Sequence, residues 1–167
     1  PVGLATQVSI DAARDDELLR LLGEAGFNTV FIGIETPNEL SLKETRKRQN
    51  GGCDLTEQIG RFLDDHIMVL GGMIVGFDAD GPDIFAQQKQ FIQGARMPVC
   101  SLGALVAPAQ TPLLERLSKA GRIIPMRTQS TTTPLSTNII PHQMSREELL
   151  DGLRDLVSDL YSPEAYG

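Results

Sequence analysis

The sequence has no surplus of positive charge: 15 Lys and Arg stand against 22 Asp and Glu, a net charge of −7. That balance excludes a general nucleic-acid binder, because the counterion release that drives such binding needs an excess of Lys and Arg. Long hydrophobic runs are also missing. The longest apolar stretch, Ile67 to Phe77, is interrupted by Gly71, Gly72 and Gly76. It falls well short of the roughly 20 residues of a spanning helix, so no membrane segment is expected. Cysteine is scarce. Cys53 and Cys100 are too few for a disulfide framework, and neither has a Cys or His companion at metal-ligand spacing, so idle thiols are expected. There is no initiator Met and no signal-type opening, and the start at Pro1 reads as an excised piece of a cytoplasmic protein. What remains is ordinary globular composition, 41% hydrophobic and 22% charged. A chain of this size buries about 70% of the surface exposed when unfolded.

Along the chain, apolar runs alternate with helical periodicity, the pattern of βα units and a parallel sheet. Strands are expected over Leu4 to Ile10, Thr29 to Glu35, Met68 to Phe77 and Val99 to Val106. Between them the spacing predicts helices over Asp15 to Ala25, Glu39 to Gln49, a run capped by Asp54, and Asp83 to Ala95. Pro112 suits the first turn of a further helix closed by Gly121. From Arg122 to Met144 the periodicity stops, and the threonines Thr131, Thr132 and Thr133 suggest a long irregular connection. A capping box at Ser145 and Glu148 then opens a last helix, with Pro163 as its stop.

Two phosphate-binding patterns are absent. The first strand leads into Ile10-Asp11-Ala12-Ala13-Arg14 rather than Gly-x-Gly-x-x-Gly, and no Gly-x-x-x-x-Gly-Lys occurs, so an open dinucleotide-binding sheet is disfavoured. In a (β/α) barrel the working groups sit at the C-terminal strand ends. That rule selects Gln7, Ser9 and Asp11, then Glu35 and Thr36, then Asp78 and Asp80, then Val106 to Gln110. Glu35 follows an apolar run and needs a donor. A ligand hydroxyl or ammonium and the neighbouring backbone N–H groups are equally open. The glycines at 71, 72 and 76 mark either the close approach of a flat ligand or tight helix-on-sheet packing. Lys43, Arg46, Lys47 and Arg48 read as a solvated face, and His66 and His142 lack ligand-spaced companions.

The segments Phe31-Ile32-Gly33-Ile34-Glu35-Thr36-Pro37-Asn38-Glu39 and Glu44-Thr45-Arg46-Lys47-Arg48-Gln49-Asn50 closely resemble radical S-adenosylmethionine enzymes, in particular the subgroup with an N-terminal cobalamin-binding domain. Gly72-Met73-Ile74-Val75-Gly76-Phe77-Asp78 resembles that family's Gly-x-Ile-x-Gly strand motif. Pro108 to Leu113 is similar to its Gly-Thr-Pro-Leu turn, with Gln110 in place of the glycine. Asn138-Ile139-Ile140-Pro141 and Tyr161 to Tyr166 resemble its C-terminal extension.

The resemblance implies an α/β fold in which parallel βα repeats form part of a (β/α)6 partial TIM barrel with a C-terminal helical extension. Residues 1–121 would be the barrel portion and 122–167 the extension. It implies an S-adenosylmethionine pocket to which Glu35, with Ser9 or Gln7, contributes polar contacts. Backbone around Gly72 to Gly76 and around Leu105 would flank the adenine. The motif's closing Glu falls here on Ala79, between Asp78 and Asp80.

It also implies a parent enzyme with a [4Fe-4S] cluster and cobalamin, whose three-cysteine loop and cobalamin domain lie in a missing N-terminal half. The isolated chain would then be inactive, and no metal ligand or catalytic group is assigned within it. The exposed first edge strand would be covered by a homo-oligomeric contact. The alternative is a non-catalytic half-barrel binding or assembly module. A metal-free lyase using Glu35 and Asp78 lacks a cationic or His partner.

Overall fold

The computed structural model describes residues 2–45, 50, 54–124 and 135–166. Arg46, Lys47, Arg48, Cys53, Thr131, Thr132 and Thr133 lie outside them. Four strands, β1 (Leu4–Gln7), β2 (Phe27–Glu35), β3 (Met68–Val75) and β4 (Val99–Ala104), are hydrogen-bonded in chain order. The first three pair in parallel, with Gln7 opposite Phe31 and Phe31 opposite Leu70. Between and after them run α1 (Asp16–Glu24), α2 (Glu39–Thr45), α3 (Leu55–Asp64), α4 (Ile84–Gly94), α5 (Pro112–Lys119), α6 (Arg146–Leu160) and α7 (Pro163–Tyr166). Parallel strands alternating with helices, followed by a helical C-terminal segment, match the expected α/β architecture.

Local signals set most helix starts. The Asp15 carboxylate accepts from Leu18 N, Asp54 from Thr56 N and Glu57 N, and the Thr111 hydroxyl from Leu114 N. Ser145 and Glu148 close the reciprocal capping box. These bonds satisfy backbone donors that a first helical turn leaves orphaned. Four of the stops share one device, a left-handed residue just past the helix. Gly26 and Gly121 supply it after α1 and α5, while His66 (φ 60°) and Arg96 (φ 52°) take it after α3 and α4. The apolar residue that follows, Ile67 or Met97, closes the turn onto the carbonyl of Phe62 or Ile92, as in a Schellman motif. His66 therefore has a helix-terminating role.

Several boundaries differ from expectation. β1 ends at Gln7, and Ile10–Arg14 forms a 3-10 turn with Ile10 and Ala13 buried. β3 and β4 stop at Val75 and Ala104, two residues before their apolar runs end, because Phe77 and Val106 lie past the strand ends. Pro163 ends α6 but also opens α7, since a proline at the first helical position loses no needed hydrogen bond. In the stretch from Arg122, Ile123 and Ile139 form an antiparallel bridge, with Ile139 fully buried.

The chain divides into two compact units, Pro1–Met73 with Gln87–Ser101, and Ile74–Ala86 with Leu102–Gly167. In the first, α3 packs against the 3-10 turn, and Ile10, Leu19, Val30, Ile32, Ile34, Ile59, Phe62 and Val69 are almost wholly buried. In the second, Phe77, Leu105, Ala107, Leu117 and Ile139 form the core. There α6 seats closely on α4, because a Cβ at Gly152 would overlap the Phe85 ring.

The turn before α5 holds a removable strain. Gln110 stands at φ 63°, where the resembled motif has glycine, and a non-glycine residue in this region costs about 1–2 kcal/mol. The side chain is exposed. Gln110→Gly is expected to raise the stability of the protein by about 0.5–1 kcal/mol after the unfolded-state cost of glycine, read as a higher urea midpoint.

Candidate functional site

In the first unit the strands present two different faces. Val30, Ile32 and Ile34 on β2 and Val69, Gly71 and Met73 on β3 are buried, while Phe31, Gly33, Glu35, Leu70 and Gly72 are half-buried. Gly33 pairs with Gly72 and Phe31 with Leu70, so these four share the half-open face. Gln7, opposite Phe31, belongs to the same row.

Both adjacent strand glycines are closely packed by side chains of this chain. At Gly71 a Cβ would meet Met97 Sδ at 2.9 Å and Ile34 Cδ1 at 3.2 Å, which is close packing on the buried side. At Gly72 it would meet Phe31 Cζ at 2.7 Å. The space above Gly72 is therefore occupied by an aromatic ring lying over the glycine floor. Phe31 supplies an apolar wall to this face, and period-2 spacing with Gly33 and Glu35 was its signal in the sequence.

Glu35 ends β2 in an unusual conformation. Its φ is 72°, and Thr36 N donates to Ile34 O at 3.0 Å across it. An i to i+2 bond around a left-handed residue is the strained form of the γ-turn, and such a conformation costs about 1–3 kcal/mol in a residue other than glycine. The β2–β3 register shifts at the same point, passing from Gly33 opposite Gly72 to Glu35 opposite Met73. Just beyond, the Thr36 hydroxyl accepts from Asn38 N, and the Asn38 side chain caps α2 through Leu40 N and Ser41 N. Gln7 and Ser9 are exposed at and just past the end of β1, and the Ser9 hydroxyl makes no capping bond to the 3-10 turn.

In the second unit the strand-end carboxylates are engaged internally. Asp80 is 1% exposed, and its Oδ2 accepts from Gly76 N at 2.8 Å and Phe77 N at 3.0 Å. Asp78 bridges two guanidiniums, with Oδ1 2.7 Å from Arg122 Nη1 and Oδ2 bonded to Arg116 Nη1. Burial favours its neutral form, but the hydrogen bonds and charges of the two arginines outweigh this and hold the carboxyl below its ordinary range. A depressed folded value gives stability that is present above the unfolded pKa of about 3.9 and lost as pH falls through the folded one. The urea-midpoint gap between wild type and Asp78→Asn is expected to be open at pH 7 and to narrow below about pH 4.

The remaining backbone of this unit is also tied down. Leu105 N donates to Val75 O at 2.8 Å, and Leu105 O accepts from the Thr137 hydroxyl. The Asn138 amide brackets Ala107, donating to its carbonyl and accepting from its N–H, both at 2.8 Å.

Among the described residues no group of three His, Cys, Asp or Glu could hold a metal ion. Burial pushes the Cys100 thiol up to about 11, so it stays protonated at neutral pH, unlike a metal-bound thiolate.

Residues 111–167 match a domain of unknown function, DUF4070. The hopanoid C-2 methylase of Rhodopseudomonas palustris is 30% identical over 162 residues, covering 97% of this chain and 29% of that protein. An uncharacterized methyltransferase of Synechocystis sp. is 29% identical over 166 residues, covering 99% of this chain and 31% of its own length. Among solved structures, the radical S-adenosylmethionine methyltransferase TsrM from Kitasatospora setae, with tryptophan substrate and a SAM analog bound, aligns over 84% of this chain and 27% of its own. That superposition has a TM-score of 0.57 at 14% identity. TsrM with cobalamin and a [4Fe-4S] cluster bound aligns equally well, TM-score 0.57 at 16% identity, over 89% of this chain and 30% of its own. In fold the chain is similar to this radical S-adenosylmethionine methyltransferase.

It spans about a third or less of the length of these relatives. Just past the end of β3, Asp80 binds the N–H groups of Gly76 and Phe77. No helix of the described residues is long and apolar enough to cross a membrane.

Proposed function

We propose that this chain forms part of the S-adenosylmethionine-binding side of a radical methyltransferase, and that Glu35, aided by Gln7 and Ser9, is its polar contact to the nucleoside or amino-acid end of the ligand. The observation that carries this reading is the strained left-handed Glu35 at the C-terminal end of β2, beside a half-open face. Strain at a strand end persists only where the surroundings over-determine it, and it concentrates at ligand sites. A carboxylate accepts from ribose hydroxyls or an ammonium, and the Phe31 ring offers the apolar surface that a nucleobase needs. When bound, S-adenosylmethionine supplies a sulfonium-activated carbon for the chemistry of the whole protein.

The iron-sulfur cluster does not fit this chain. Three thiolates cannot come from two cysteines, one of which is buried and protonated. Cluster ligands and cobalamin, if used as in TsrM, come from other parts of the protein. Those parts would also cover the outer edge of β1, where Val2 and Leu4 are 84% and 39% exposed, since an uncovered strand edge invites association.

The test uses the full-length protein reconstituted with iron, sulfide and cobalamin. With S-adenosylmethionine and a strong reductant it is expected to yield S-adenosylhomocysteine or 5′-deoxyadenosine, and formation of neither by the fully loaded protein contradicts the reading. Glu35→Gln is expected to weaken S-adenosylmethionine binding about tenfold, the loss of one charge-assisted hydrogen bond. Glu35→Gly weakens it as much but raises the unfolding midpoint, because the strain is released.

A further inference from the structure

We infer that Asn50 is the positioning residue that fixes Glu35 in its ligand-facing conformation, an inference that rests on the reading of Glu35 given above. Asn50 is 3% exposed and reaches back from beyond α2 to the end of β2. Its Nδ2 donates to Gly33 O at 2.9 Å and to Ile34 O at 2.9 Å. Both partners are carbonyl acceptors, so the amide nitrogen, not the oxygen, faces the strand. One NH2 group carries two donors and spends one on each carbonyl.

These carbonyls stand where the β2–β3 ladder changes register, between Gly33 opposite Gly72 and Glu35 opposite Met73. Ile34 O is also the acceptor that closes the γ-turn around Glu35 through Thr36 N. Asn50 thus grips the two peptide units immediately before the strained residue. Without that grip, the relaxed path for Glu35 is an extended φ, which re-aims its side chain, because successive strand side chains point to opposite faces. The grip cannot be replaced by an acid of the same shape, since an ionised carboxylate offers only acceptors to two carbonyl oxygens. Asn50 touches no ligand in this account. It acts through the backbone of Glu35.

The test is a double-mutant cycle in the full-length protein, reading the S-adenosylmethionine dissociation constant by equilibrium dialysis for wild type, Glu35→Gln, Asn50→Ala and the double variant. Glu35→Gln and Asn50→Ala are each expected to weaken binding about tenfold, and the double variant by about tenfold rather than a hundredfold, because both disable one contact. In the ligand-free protein, amide exchange at Thr36 is expected to quicken about tenfold or more in Asn50→Ala as the γ-turn opens.

If Glu35→Gln weakens binding while Asn50→Ala does not, or the two effects multiply, the positioning role is overturned and the reading of Glu35 stands. If Glu35→Gln leaves binding unchanged, both fall. Should Asn50→Ala fail to fold, Asn50→Ser, which keeps one donor, is judged by the same criterion.

Discussion

Asp80→Ala is expected to lower the stability of the protein by about 3 kcal/mol, since each buried donor left unsatisfied costs about 1–3 kcal/mol. The Asp80 carboxylate is 1% exposed and accepts from both Gly76 N and Phe77 N. Its own backbone N–H returns a bond to Phe77 O at 3.0 Å, so side chain and main chain together close the turn that follows β3. Alanine leaves the N–H groups of Gly76 and Phe77 without the carboxylate that accepts from them. Asp80→Asn keeps an acceptor oxygen in place and loses only charge assistance, so its expected cost is about 1 kcal/mol. Denaturant titration of the two variants beside wild type separates the effects. Equal losses would mean that burial of the charge, not the two N–H bonds, sets the role of Asp80.

Gly76→Ala is expected to cost a similar amount, about 3 kcal/mol, for a different reason. Gly76 has φ 107°, outside the region that residues with a Cβ adopt at low cost. An added Cβ would also stand 3.0 Å from Leu149 Cδ2 and 3.6 Å from Leu105 Cβ. Backbone strain of about 1–3 kcal/mol adds to overpacking of about 1–3 kcal/mol. Leu149→Ala creates room for the methyl group but leaves the dihedral cost. Adding it to Gly76→Ala is therefore expected to lower stability further, because removing a buried leucine itself costs about 2–5 kcal/mol. A Gly76→Ala midpoint equal to that of wild type would refute both the conformation and the contact.

The sequence reading succeeds where structure is local and fails where it is not. Asp54 and Ser145 are legible as caps because each bonds a backbone N–H two or three residues ahead. The strands are legible through period-2 burial, yet their ends are overrun, because Phe77 and Leu105 continue the apolar run into the core after the ladder stops. The decisive side chains at the strand ends act over distance. Asn50 meets Ile34 across 16 residues and Asn138 meets Ala107 across 31. No period or motif physics marks such a pair, since a buried amide reads the same as an exposed one until the fold brings its carbonyls near. Asp78 and Asp80 look equivalent in sequence, but one is bonded to two arginines and the other to two backbone N–H groups. Glu35 is selected by its place after an apolar run, while its left-handed backbone is invisible there, because glutamate gives no hint of a conformation that glycine usually takes.

The strain at Glu35 and the clamp from Asn50 together explain why the end of β2 is built at a stability cost. The most direct measurement is hydrogen exchange of the full-length protein with and without saturating S-adenosylmethionine, followed by peptide mapping. The account predicts that ligand slows exchange in the segment from Gly33 to Asn38, and that Glu35→Gly loses this protection. Bound S-adenosylmethionine that leaves exchange in that segment unchanged would contradict it.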